Sequence, residues 1–216
     1  MRYGQTRDLP AYQCQIHINK METVKQGDAA DISHVPKPNN RWDQFSKAVT
    51  TEGKLYISGD TFKDQIHKLA AWLQTSPANL KCISLYGGMQ SKDVGVLVEA
   101  FKVNTKLTEI AILIDDIDYA VIEALSEALQ VNTTLTSFVL SANIGDAGAQ
   151  VLGHTLETNT TLTTLDLSHN SIGVAGALTL AEALKVNKAL VTLDLDNNAI
   201  GTAGALGLAC ALLRKR

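Results

Sequence analysis

Two stretches of this chain, LTTLDLSHNSIGVAGALTLAEALKVNKA from Leu162 and LVTLDLDNNAIGTAGALGLACALL from Leu190, align without a gap at a period of 28 residues. Self-similarity at that period constrains the fold more than any single motif. A unit of this length cannot cover its own apolar face, so copies must stack into one continuous core. Upstream, LTSFVLSANIGDAGAQVLGHTLETNTT starts at Leu135 and is one residue shorter, a position after Asn143 being absent. Further copies start at Leu107 and Leu80. A sixth, degenerate copy runs from Glu52 to Asn79, where Leu55, Ile57 and Asp60 precede Ile83, Leu85 and Gly88 by 28 residues. The starts therefore fall near 52, 80, 107, 135, 162 and 190.

Each copy contains two periods. Leu165 and Leu167 flank Asp166, and Leu193 and Leu195 flank Asp194, the alternation of a short strand with one buried face. The back half carries apolar pairs four apart, Leu97/Phe101, Leu125/Leu129, Leu152/Leu156 and Leu180/Leu184, which lie on one helix face. Gly145, Gly173 and Gly201 hold turn positions before helices. The series Asn104, Asn132, Asn159 and Asn187 follows them, where Asn is expected for its tolerance of left-handed turns.

The pattern LxxLxLxxN, followed by an Ile-Gly turn and an Ala/Leu-rich helix, resembles the ribonuclease-inhibitor-like class of leucine-rich repeats over about three quarters of the chain. The resemblance implies an α/β fold: a curved solenoid with a parallel sheet on its concave side and helices on its convex side. The Asn of the motif is read at Asn143, Asn170 and Asn198 but is replaced by Asp115, Gly88 and Asp60 earlier, so a complete ladder is expected only in the C-terminal half. Residues 1–51 are expected to form a small α+β cap, with repeats over 52–216. In that cap Tyr12, Cys14, Ile16 and Ile18 alternate as a strand, a polar loop runs over 25–40, and Trp42, Phe45 and Val49 recur as on an amphipathic helix able to lid the first repeat.

Composition narrows the function. A net charge of −3 gives no general electrostatic drive toward nucleic acid or an anionic membrane, and no run approaches the 18 or more apolar residues of a membrane span. Cys14, Cys82 and Cys210 are odd in number and widely spaced, which points to a reducing cytosol, native or that of a host cell reached through a secretion system. No zinc or calcium spacing occurs: Asp115, Asp116 and Asp118 lack the central Gly of a calcium loop and are read as turn and helix-cap residues. Neither metal nor cofactor is expected. Cys14 and His17 fall on opposite faces of a strand, so no nucleophile is assigned. The enzymatic alternative would pair Cys14 with a distant His34 or His67.

What remains is the outward face of the strands, where equivalent positions stack about 4.8 Å apart. One ladder reads Tyr56, Ser84, Ala111, Val139, Asp166, Asp194; a second Ser58, Tyr86, Leu113, Ser141, Ser168, Asp196; a third Gly59, Gly87, Ile114, Ala142, His169, Asn197. Large apolar residues on a solvated face usually mark an interaction site. The expected partner-binding residues are Tyr56, Tyr86, Leu113, Ile114, Val139, Asp166, His169, Asp194 and Asp196. The reading is a monomeric, non-enzymatic module that binds a partner protein and masks or regulates it. Similarity to injected bacterial effectors extends the expectation to a host protein or another effector. A fragment of a larger receptor or scaffold is the remaining alternative.

Overall fold

The computed structural model describes residues 15–17, 45 and 48–214. Strands β1 (Gln15–His17), β2 (Lys54–Ser58), β3 (Cys82–Tyr86), β4 (Glu109–Leu113), β5 (Ser137–Ser141), β6 (Thr164–Asp166) and β7 (Thr192–Asp194) form one sheet. Helices α1 (Ile66–Gln74), α2 (Ser91–Val103), α3 (Tyr119–Val131), α4 (Gly145–Thr158), α5 (Val174–Val186) and α6 (Gly201–Arg214) alternate with β2 to β7. A helical turn at Gly59–Phe62 and a 3-10 turn at Lys63–Gln65 lead into α1.

From β2 to β7 each strand pairs in parallel with the next, in the register that the repeat period dictates: Leu55, Ile83, Ile110, Phe138, Leu165 and Leu193 lie side by side. All six are buried, as are the helix pairs Leu97/Phe101, Leu125/Leu129, Leu152/Leu156 and Leu180/Leu184. Strand interiors and helix stripes thus meet in one continuous apolar layer, which is how a stacked array removes apolar surface from water. Small residues let the last helices approach closely. A Cβ added at Gly176 would sit 2.8 Å from Ala149 Cβ and from Asp146 Oδ1, and the same Asp146 oxygen accepts the backbone N–H groups of Gly173 (2.7 Å) and Gly176 (2.8 Å). That carboxylate of α4 therefore caps the start of α5 across the repeat boundary.

The asparagines after the helices hold the array together, and by a means other than turn conformation. Asn104, Asn132, Asn159 and Asn187 are extended, with φ between −64° and −75°, and are buried. Each carboxamide oxygen accepts two N–H groups of the turn into its own strand, as Asn104 does from Lys106 and Leu107 at 2.8 Å. Each amide nitrogen donates to the carbonyl that ends the helix one repeat back, as Asn132 does to Phe101 at 2.8 Å. The ladder satisfies helix-end carbonyls that would otherwise be buried without a donor.

The second asparagine series departs from expectation at one copy. Asn170 and Asn198 are held in the turns, Asn198 donating to Leu167 O (2.8 Å) and accepting from Ile172 N (2.8 Å). Asn143 is instead exposed at φ 51° and donates to Asp116 Oδ1 at 2.9 Å, because the shorter turn of its copy carries it out of the interior. Asp118 stands before α3 but makes no side-chain cap bond; its backbone N–H donates to Ser91 Oγ at 2.8 Å.

At the first repeat Phe45 is fully buried against Phe62 (ring centroids 5.9 Å) and Trp72 (5.5 Å), and Val49 packs on the same core. The expected N-terminal strand appears at Gln15–His17, yet it lies beside β7, at the edge of the sheet opposite β2. Cys14, His34, Trp42, the loop over 25–40 and the ends of the expected strand at Tyr12 and Ile18 lie outside the described residues.

Candidate partner-binding face

Pairing in the sheet reproduces the first outward ladder in full and the second as far as Ser141. Tyr56 stands beside Ser84, then Ala111, Val139, Asp166 and Asp194, and the last is paired with His17 of β1. Tyr86 lies between Ser58 and Leu113, and Leu113 beside Ser141. Tyr56, Tyr86 and Val139 are half-buried and Leu113 is 38% exposed, so this end of the face offers aromatic and aliphatic surface to solvent. Toward β7 the same ladder turns acidic. Asp166 Oδ1 accepts the N–H of Ser168 at 2.9 Å and Asp194 Oδ1 that of Asp196 at 2.8 Å, each carboxylate anchoring the chain as it leaves its strand.

Two residues expected to be exposed on this face are buried. Ile114 is only 8% exposed and belongs to the core. β4 keeps its extended pairing one residue beyond its end, the Ile114 N–H donating to Ser141 O at 2.9 Å, so period-two alternation sends Ile114 inward after outward Leu113. Asp196, 6% exposed, is also buried; its N–H is turned back onto Asp194 on the flank where β1 is added. His169 does remain exposed. Backbone pairing runs past β6 as well, the His169 N–H donating to Asp196 O at 3.0 Å, but His169 takes φ 59°, which breaks the alternation and leaves the imidazole at the rim, its Nε2 3.0 Å from Asn197 Nδ2.

An outward ladder was missed in the sequence: Lys54, Cys82, Glu109, Ser137, Thr164 and Thr192, two positions before the first one. The same alternation that gave the others would have found it. Cys82 therefore lies on the sheet face and not in the interior, covered by its neighbours, and burial together with the nearby Glu109 carboxylate pushes its thiol up to about 11. That is the reverse of an activated nucleophile. His67 is exposed on α1, and among the described residues no cluster of His, Cys, Asp and Glu is arranged to hold a metal ion. No helix is long and apolar enough to cross a membrane among them.

Comparison with known proteins follows the same lines. Residues 158–181 and 186–209 match the family model described as Leucine Rich repeat. No curated protein matches the chain by sequence. Among solved structures, leiomodin-1 actin-binding site 2 is similar with a TM-score of 0.60 and 22% identity, over 68% of this chain and 86% of that one. The tropomodulin C-terminal domain of Caenorhabditis elegans is similar with a TM-score of 0.59 and 13% identity, over 70% and 93%. At these identities the likeness is one of fold. The two matched copies, the parallel sheet and the alternating helices make this chain a leucine-rich-repeat solenoid.

Proposed function

We propose that the protein is a non-enzymatic binding module that engages a partner protein through the open face of its sheet. Tyr86 beside the 38% exposed Leu113, with Tyr56 and Val139 nearby, is the observation that carries this reading. Large apolar groups directed to solvent from a rigid strand layer are costly to leave uncovered, and Tyr is frequent among residues that dominate binding energy. Asp166 and Asp194 extend the site toward β7 and favour a partner with a basic rim, and His169 stands at its edge. Ile114 supports the face from within. Binding of this kind occludes whatever surface of the partner it covers, so inhibition or regulation is the expected consequence. A single chain acting in the cytosol, its own or a host's, completes the proposal, supported by free Cys82 and Cys210.

The test compares wild type with Tyr86→Ala/Leu113→Ala against a partner captured from lysate and then purified. Actin is included as one defined ligand because leiomodin-1 actin-binding site 2 shares this fold. Loss of central anchors worth about 2 kcal/mol should speed dissociation roughly 30-fold, while Asp194→Lys should mainly slow association. Unchanged binding by the double variant would place the interface elsewhere.

A further inference from the structure

The open face of the sheet is not level. On β3 and β4 its middle ladder holds two small residues side by side, Ser84 and Ala111. Tyr56 stands beyond Ser84 and Val139 beyond Ala111, while Tyr86 and Leu113 come two positions later on the same strands and so point to the same side. Ala111 points outward yet is only 7% exposed, because these larger neighbours shade it. Ser84 and Ala111 therefore floor a shallow hollow walled by two tyrosines, a leucine and a valine, a seat for one large apolar side chain.

Past Val139 the face changes character. Asp166 and then Asp194 occupy the middle ladder, and the exposed imidazole of His169 stands at the rim. From Tyr56 to Asp194 the ladder crosses six strands, about 24 Å at about 4.8 Å per step. The strands themselves are only three to five residues long, so the patch is elongated across them, apolar at one end and acidic at the other.

Whatever lies along this axis must present side chains at the spacing of the strands. One turn of an α-helix rises about 5.4 Å, within about an eighth of the strand spacing, so roughly one turn meets each strand. An extended segment laid the same way sets same-side residues about 6.6 Å apart and overshoots the spacing by about a third. We propose, resting on the reading that this face is the binding site, that the partner element is an amphipathic helix of about 16 residues lying across the strands. One apolar residue sits on Ser84 and Ala111, others follow at helical spacing over Tyr56 and Val139, and Lys or Arg at one end faces Asp166 and Asp194.

The experiment selects displayed random peptides of about 16 residues against the immobilised full chain. Enriched sequences should carry apolar residues at i, i+3 or i+4 and i+7 with basic residues confined to one end, and a synthetic copy of the leading one should gain helical circular dichroism on binding. Ala111→Phe fills the hollow while pointing away from the core, and should weaken that peptide roughly tenfold or more; Ser84→Leu is the second filling variant should the first misfold. Asp166→Asn/Asp194→Asn keeps an acceptor oxygen for the Ser168 and Asp196 N–H groups but removes the charge, and should abolish the salt dependence of binding. No enrichment, enrichment of alternating strand-like sequences, or peptides indifferent to the filled hollow and to the Asn pair would each overturn the helix. The Tyr86→Ala/Leu113→Ala test separates the two readings: if it abolishes binding of a captured partner while the peptides fail, the face is right and its occupant is not a helix, and if it leaves binding unchanged, the face itself is wrong.

Discussion

Replacing Asn132 by alanine tests the reasoning about the asparagine ladder most directly. Its amide nitrogen donates to Phe101 O (2.8 Å) and Asn104 O (2.9 Å), and its oxygen accepts from Thr134 N (2.8 Å) and Leu135 N (2.9 Å). Thr134 is half-buried and can turn to water, but the other three groups lie in the buried seam between consecutive repeats. Asn104 O keeps a 3.4 Å bond from Thr134 Oγ1, so two buried backbone groups lose their partner at about 1–3 kcal/mol each, a predicted loss of about 2–6 kcal/mol. In an array whose stability rests on neighbouring interfaces, that loss falls on the junction between the repeats starting at 80 and 107 and their successor. The control is Asn143→Gly, which removes one exposed bond to Asp116, keeps a residue suited to φ 51°, and should stay within about 0.5 kcal/mol of wild type. Urea unfolding followed by far-ultraviolet circular dichroism measures both. An Asn132→Ala loss below about 1 kcal/mol, or equal losses for the two variants, would refute the claim that the ladder is a structural seam.

Glycines in two helices should respond with opposite signs. Gly176→Val, with no room for even a Cβ beside Ala149, should destabilise by about 1–3 kcal/mol, whereas Gly95→Ala, whose nearest neighbour is Val121 Cγ2 at 3.5 Å, should stabilise by up to about 1 kcal/mol in the same urea assay. Phe45→Ala removes a fully buried ring from Phe62 and Trp72 and should cost about 3–5 kcal/mol; a loss under 1 kcal/mol by thermal unfolding would detach it from the core of the first repeat. In a Cys14→Ser background, native protein at pH 8 should show Cys210 reacting promptly with a thiol reagent and Cys82 only on unfolding. Because the folded Cys82 thiol is raised from 9.0 to about 11, the folded state holds its proton longer than the unfolded one, so its contribution to stability is intact below pH 9 and fades between pH 9 and 11; Cys82→Ala should flatten that decline.

Most of the architecture is local and therefore readable. Leu165 and Leu167 around Asp166 specify a strand, Leu180 and Leu184 a helix face, and the 28-residue period then fixes which strand lies beside which and in what register, because identical units can stack continuously in only one phase. The neighbours Tyr86 and Leu113 followed from that arithmetic alone. The tertiary structure decided whatever depends on how far a strand runs or on contacts with no counterpart in the repeat. Ile114 and His169 both donate a backbone N–H across to the next repeat, yet Ile114 turns inward in extended backbone while His169 stays outside because the chain there enters the left-handed region. The asparagines at 104, 132, 159 and 187 look like turn residues in sequence, but their bonds reach 28 to 31 residues back, which no local window contains. β1 beside β7 is the extreme case: three residues outside the repeat pattern pair with a strand more than 170 positions away, a partner that no local window contains.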